Sequence, residues 1–262
     1  MAAAGGMRPD SSSASHRVWL LRVAFVVIAL LAWEALSRSG VLFKDVVPSL
    51  AAIGRALANV LSTRDFYANL GVTAQEIGIA VVIGGVAGVA VGIMLGANRF
   101  LSQAFESLLL YLGPTPKIIF FPVMIMWFGV GTGSKIAMGV VSCFFPIAIS
   151  TAAGMRQIDT VLIRVGRSFR ASTWQMVKSI YLPAMREPIV TGLRLGLGVA
   201  IIGTLLAETK LSNRGLGYLV IQSYALFDMP KMYALLIVLF VLSIGVNAMI
   251  GRFSHAQRRA LA

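Results

Sequence analysis

Charge is scarce in this sequence: only 13% of its 262 residues are Asp, Glu, Lys or Arg, while 58% are apolar. A soluble domain carries roughly a quarter charged residues, so an ordinary water-soluble globule is excluded. An intrinsically disordered chain is excluded by the same figures, because so much apolar surface cannot stay solvated. Cysteine is nearly absent too. The single Cys143 has no partner within the chain and rules out a disulfide scaffold. Two histidines, His16 and His255, lie near opposite ends, and no Cys/His cluster offers a metal site. What charge there is runs one way, with 23 basic against 10 acidic residues and a formal net charge of +13. In an apolar chain this excess suits cytoplasmic loops, where basic residues set orientation and meet anionic lipid, better than it suits nucleic acid.

The apolar residues fall into six runs of membrane-spanning length, at 18–36, 77–97, 105–128, 135–154, 189–208 and 232–251. The first follows Arg17 and could pass for a secretory signal, but its run continues into Trp33 without a small-residue cleavage site, which favours an uncleaved anchor. In the second, Gly84, Gly88 and Gly92 recur every four residues and share one helix face, as in a close helix–helix contact. The third contains Gly113-Pro114-Thr115-Pro116-Lys117 and Pro122, so its helix must break within the membrane. Freed backbone at that depth survives only against protein or water. Lys117 itself needs water or a partner there, unless it reaches an interface.

With the N-terminus inside, inner segments hold more Lys and Arg than outer ones, among which Arg38, Lys44, Lys135 and Lys210 are counted. The bias is modest and places both termini in the cytoplasm. Residues 1–16, rich in Ala, Gly and Ser, read as a disordered cytoplasmic tail. Residues 17–75 read as a first span with an outer connection, 76–252 as the membrane core, and 253–262 as a second cytoplasmic tail.

Segment 155–188 does not resemble a membrane. It carries Arg156, Arg164, Arg167, Arg170, Lys178 and Arg186 against Asp159 and Glu187. Apolar residues recur at helical spacing: Val161, Leu162 and Val165, then Trp174, Val177, Ile180 and Tyr181. Ala171-Ser172-Thr173 offers a helix start, predicting a short helix over 173–181 that Pro183 stops. A basic amphipathic pair of this kind either lies on anionic lipid or docks into a groove of a partner protein.

The stretch Arg164-Val165-Gly166-Arg167-Ser168-Phe169-Arg170-Ala171-Ser172, with Trp174-Gln175 and Leu182-Pro183-Ala184, resembles the EAA loop of bacterial ABC importer permeases. Pro114-Thr115-Pro116-Lys117, Trp127-Phe128-Gly129-Val130-Gly131, Phe144-Phe145-Pro146, Ala207-Glu208 and Arg214-Gly215-Leu216-Gly217-Tyr218 are similar to the sulfonate, taurine and nitrate importers among them. The resemblance implies an all-α, polytopic bundle of about six transmembrane helices with the MetI-like permease fold, in a bacterial inner membrane. It implies three partners: a separate ATPase subunit, an extracytoplasmic solute-binding protein and a second permease copy. In such a family the loop couples to the ATPase. Arg164, Gly166, Ser168, Arg170, Ala171, Ser172, Trp174, Gln175 and Pro183 then become the expected coupling residues. Two positions depart from the pattern. Arg164 stands where the family has Glu, and Arg170 stands where it has Gly, which puts the local turn in doubt.

ATP chemistry is not expected in this chain. Gly129-Val130-Gly131-Thr132-Gly133-Ser134-Lys135-Ile136 approaches a P-loop but lacks the hydroxyl residue after Lys and the spacing. No buried carboxylate pair is evident, and neither a catalytic residue nor a cofactor is expected. Lys117, Arg194 and Glu208 are the candidates for a translocation path, being ionisable residues in or beside spans. For Arg194 the plainer reading is snorkelling to the inner interface, and for Glu208 a contact with the 213–217 loop. A stand-alone secondary carrier is the alternative function. Such carriers often show broken helices in two matching halves, whereas this sequence has one broken span.

Overall fold

The computed structural model describes residues 11–40 and 46–259, with side chains described for 18–40 and 46–249. Among the described residues all regular structure is helical. Five helices are long and apolar enough to cross a membrane: Val18–Ser39, Arg64–Ala97, Thr132–Arg156, Arg186–Lys210 and Met229–Met249. A sixth span is the pair Arg99–Leu112 and Lys117–Phe128, bent by 93° at the Gly113–Pro116 break. The expected 105–128 span is therefore broken where Pro114 and Pro116 remove backbone donors.

Helix extends into both segments expected as tails. Helix α1 (Ser11–Ser39) takes in Ser11–His16, and residues 1–10 lie outside the described residues. The last helix, α12 (Met229–Arg259), continues through most of the expected C-terminal tail, and residues 260–262 lie outside the described residues.

The bundle is built around α6 (Thr132–Arg156), and glycine decides how closely its neighbours approach. On α3 (Arg64–Ala97), a Cβ added at Gly84, Gly88, Gly92 or Gly96 would collide with Cys143, Ile147, Thr151 or Met155 respectively. Both sets step by four residues in the same direction, so α3 and α6 run parallel, one ridge seated on the other. On the opposite flank α10 (Arg186–Lys210) runs antiparallel. Gly192 meets Ser150 and Ile147, Gly196 meets Ile147 and Cys143, and Gly203 meets Ser142. Ile147 and Cys143 are fully buried because both neighbours press on them.

Parallel helices α3 and α6 need a return crossing between them. The bent pair supplies it: α4 (Arg99–Leu112), a 3₁₀ turn at Lys117–Phe120, and α5 (Phe121–Phe128). The bundle thus has one end with the α6–α10 connection and an opposite end with α2 (Leu50–Ser62) and α11 (Leu216–Ala225). At that opposite end Val60, Phe66, Leu216, Leu219 and Leu235 form one apolar cluster. Helix α1 touches the rest mainly through its last turns. Trp33 Nε1 donates to the Pro48 carbonyl at 3.0 Å, and Glu34 accepts from the Leu50 amide at 3.0 Å.

Candidate functional site

The connection from α6 to α10 is a built corner. Asp159 caps α7 (Thr160–Ser168), its carboxylate accepting from the Val161 amide at 2.8 Å. The far end of α7 closes with paired bonds: the Arg170 amide donates to Arg167 at 2.9 Å and the Ala171 amide to Gly166 at 3.1 Å. This is a Schellman closure, in which the residue after the cap turns left-handed. That residue is Arg170, at φ 51°. The turn that glycine usually serves is kept with an arginine in it, at about 1 kcal/mol of backbone cost.

Ser172 then starts α8 (Thr173–Met176) with a reciprocal capping box. Its hydroxyl accepts from the Gln175 amide at 3.3 Å, and the Gln175 side chain accepts from the Ser172 amide at 2.7 Å. Both side chains are occupied in holding the corner. Gly166 lets the two arms touch, since a Cβ there would lie 2.5 Å from Met176 Sδ and from Ile180 Cδ1. Ser168 donates back to the Arg164 carbonyl at 3.0 Å.

Helix does not stop at Pro183 as expected. The chain passes through a π-helical stretch, Val177–Tyr181, into α9 (Leu182–Ala184), and the break comes at Met185. Proline at the second position of a new helical segment lacks only a donor which that turn leaves unused. Met185 is fully buried with Met155 and Ile158, anchoring the corner to the bundle.

The outer surface of this corner is open among the described residues. Trp174 is 70% exposed and Phe169 83%. Val161, Leu162 and Val165 are exposed beside them, among the exposed Arg164, Arg167, Arg170 and Lys178. Phe169 was not singled out as a contact residue from sequence, although the spacing Val161–Val165–Phe169 could have placed it on the same face.

The three path candidates lie apart. Lys117 turns back onto its own break: its ammonium donates to the Gly113 carbonyl and to that of Thr115 at 3.3 Å, and sits 5.2 Å from the Phe145 ring centre. Two carbonyls left without helical partners at the bend are thereby given a donor. Arg194 donates from Nε to Asn247 Oδ1 on α12 at 2.9 Å, with no carboxylate in ion-pair range among the described residues.

Glu208 belongs to a buried polar cluster at the far end of the bundle. It accepts from the Thr73 hydroxyl at 2.7 Å and from the Gly217 amide at 2.6 Å. The Leu216 amide donates to Thr73 at 2.8 Å, and the Gly215 amide donates to Asn69 at 2.7 Å. Gly215, at φ 104°, and Gly217 let the loop backbone lie directly over the Glu208 side chain. Two sequence readings are corrected here. The carboxylate pair that was not evident exists: Glu76 and Glu208, 2% and 0% exposed, are electrostatic neighbours in this one buried cluster. Lys135, counted among outer-segment charges, is 1% exposed. Its ammonium donates to the Leu211 carbonyl at 2.6 Å and to that of Val130. Glu76 was passed over because it lies one residue before the expected start of the second span, whereas α3 begins twelve residues earlier, at Arg64. Lys135, the lysine of the P-loop-like stretch, sits inside α6 and is turned to these two carbonyls rather than to an open cradle.

Residues 84–259 match the family described as the binding-protein-dependent transport system inner membrane component. The chain belongs to that family. A Bacillus subtilis (strain 168) permease assigned to aliphatic sulfonates transport is 26% identical over 85% of this chain and 81% of its own. The taurine transport system permease protein TauC of Escherichia coli (strain K12) is 33% identical over 62% of this chain and 60% of its own. Among solved structures, a chain from the inward-facing MetNI methionine ABC transporter superposes with a TM-score of 0.63 at 21% identity, covering 72% of this chain and 94% of that one. The MetI-like permease fold is thus shown, and this inner membrane component is an ABC importer permease.

Proposed function

We propose that this permease carries a small, often anionic solute such as a sulfonate, taurine or nitrate. In this reading a separate ATPase supplies the energy through the 157–185 corner. The observation that supports it is an apolar-and-basic surface centred on Trp174 and Phe169, left open on a corner whose own polar groups are consumed internally. A short helix presenting one exposed aromatic beside basic residues is the form expected of a helix that seats in a partner's groove. Ala171, Trp174 and the flanking Arg164, Arg167 and Arg170 are the proposed contacts. Gly166, Ser168, Ser172, Gln175 and Pro183 are proposed to shape the corner.

The corner is proposed to face the cytoplasm, with both termini on that side. An extracytoplasmic solute-binding protein would deliver cargo to the opposite end, and two permease copies would enclose the path. Lys117 and Glu208 are proposed to shape the path by holding the α4–α5 break and the 211–217 loop. Arg194 would stand on the α12 flank.

The experiment is co-purification of the permease with its ATPase, together with uptake in vesicles. Trp174→Ala should lower ATPase retention at least tenfold and abolish uptake, with the thermal midpoint of the permease unchanged. Full ATPase retention by Trp174→Ala, or uptake without any ATPase, would refute the reading and favour a stand-alone carrier.

A further inference from the structure

Cations outnumber acids on the α6–α10 corner. Between residues 157 and 187 stand Arg164, Arg167, Arg170, Lys178 and Arg186, against Asp159 and Glu187. Asp159 is committed to the Val161 amide at the start of α7. Arg164, Arg167, Arg170 and Lys178 are exposed, and none has a carboxylate in ion-pair range among the described residues. Arg164 and Arg167, three residues apart on α7, share a face beside the exposed Val161 and Val165. Arg170 follows in the left-handed turn at φ 51°, a conformation that glycine adopts freely. Complementing the negative end of α7 does not require an arginine there, because Arg167 already lies in the last turn. Strained residues of this kind cluster at binding and switching sites.

The backbone that carries these cations is held firmly. Gly166 seats α7 against Met176 and Ile180, and the capping box at Ser172 fixes the start of α8 just ahead of Trp174. An anionic lipid surface asks only for positive charge near it. Guanidinium forks set around the exposed Trp174 and Phe169 ask for a shaped surface with carboxylates at matching positions. We propose that the ATPase groove receiving this corner is acidic, with carboxylates facing Arg164 and Arg170, and that these two arginines select which ATPase the permease accepts. Trp174 and Phe169 supply apolar contact, which does not discriminate among grooves of similar width. The charges do discriminate, because a neutral or basic groove leaves the arginines desolvated and unpaired. The inference rests on the reading that the corner meets the ATPase, and adds the chemistry of the facing surface.

The test is binding of the purified ATPase to the full permease in lipid discs, made of phosphatidylcholine or of phosphatidylglycerol and followed by interferometry. In phosphatidylcholine discs the wild-type dissociation constant should rise about tenfold as NaCl is raised from about 50 to 300 mM. Arg164→Gln and Arg170→Gln should each weaken binding about fivefold at low salt and flatten the salt dependence. Trp174→Ala should weaken binding without flattening it, so failure of the coupling reading is seen separately. Arg170→Gly separates charge from folding: hydrogen exchange at Arg167–Ala171 should slow as the left-handed turn relaxes, while ATPase binding weakens. Arg164→Glu should abolish binding, and a carboxylate-to-arginine change in the groove should restore part of it. Wild-type affinity and salt dependence in Arg164→Gln and Arg170→Gln would overturn the proposal. So would failure of every such groove change to rescue Arg164→Glu. A loss confined to phosphatidylglycerol discs would overturn it as well, assigning the arginines to lipid.

Discussion

Substituting alanine along the glycine ridge of α3 should sort positions by what lies across from each one. At Gly92 a Cβ would stand 2.5 Å from Thr151 Cβ and 2.7 Å from the Ala148 carbonyl. Neither can swing aside, because one is fixed to the backbone and the other is backbone. The helices must part by several tenths of an ångström along their whole contact, and a gap of that size forfeits a sizeable share of dispersion attraction. Overpacking of this kind costs about 1–3 kcal/mol. Since α3 stays helical in a bilayer, alanine's helix preference offsets little of it. We expect Gly92→Ala to lose about 2 kcal/mol, and Thr151→Ala in the same chain not to restore it, because the Cβ and the carbonyl remain. Gly84→Ala should behave differently. Its principal obstacle is the Cys143 sulfur, with the nearest backbone atom at 3.0 Å, so Cys143→Ala should recover at least half the loss. Gly78→Ala, with nothing within 4 Å, is the neutral control. Thermal midpoints of the detergent-purified chain by fluorescence-detected chromatography measure all five variants. The reasoning fails if Gly92→Ala matches Gly78→Ala, or if Thr151→Ala rescues Gly92 fully.

Three further outcomes follow from named contacts. Arg170→Gly should raise the thermal stability of the corner by roughly 0.5–1 kcal/mol, since relief of the left-handed strain exceeds glycine's added chain entropy; hydrogen exchange at Arg167–Ala171 is the readout. Lys135→Met should cost about 1–3 kcal/mol, because it strips the buried Leu211 and Val130 carbonyls of their donor and removes a cation from the neighbourhood of Glu76 and Glu208. Adding Glu76→Gln should return part of that loss in a double-mutant cycle of unfolding midpoints. Gly166→Val should push α7 off Met176 and lower ATPase co-purification several-fold, with the bundle's thermal midpoint unchanged.

Much of this architecture is legible in one dimension because the membrane imposes simple constraints. A hydrocarbon core demands long apolar helices, so six spans stand out by hydropathy, and prolines at 114 and 116 mark the broken one. The four-residue glycine period announces a close contact, and Ser172 with Gln175 spells a helix start. These features depend on neighbours within one or two turns. The continuation of helix through Pro183 was not legible, since proline's meaning depends on whether its missing donor is needed in the turn actually formed.

The polar cluster at the far end lies beyond local pattern altogether. Asn69, Thr73 and Glu76 come from one helix, Lys135 from a second and Glu208 from a third, with the 211–217 backbone closing over them. Hydropathy counts Lys135 and Glu208 as polar ends of spans and gives no sign that they are buried together. Composition and periodicity determined that this chain crosses a membrane about six times and exposes a basic, Trp-bearing corner. Only the packed structure decided which charges are buried with partners and which keep free donors, because a charge's partners are chosen by proximity in space rather than along the chain.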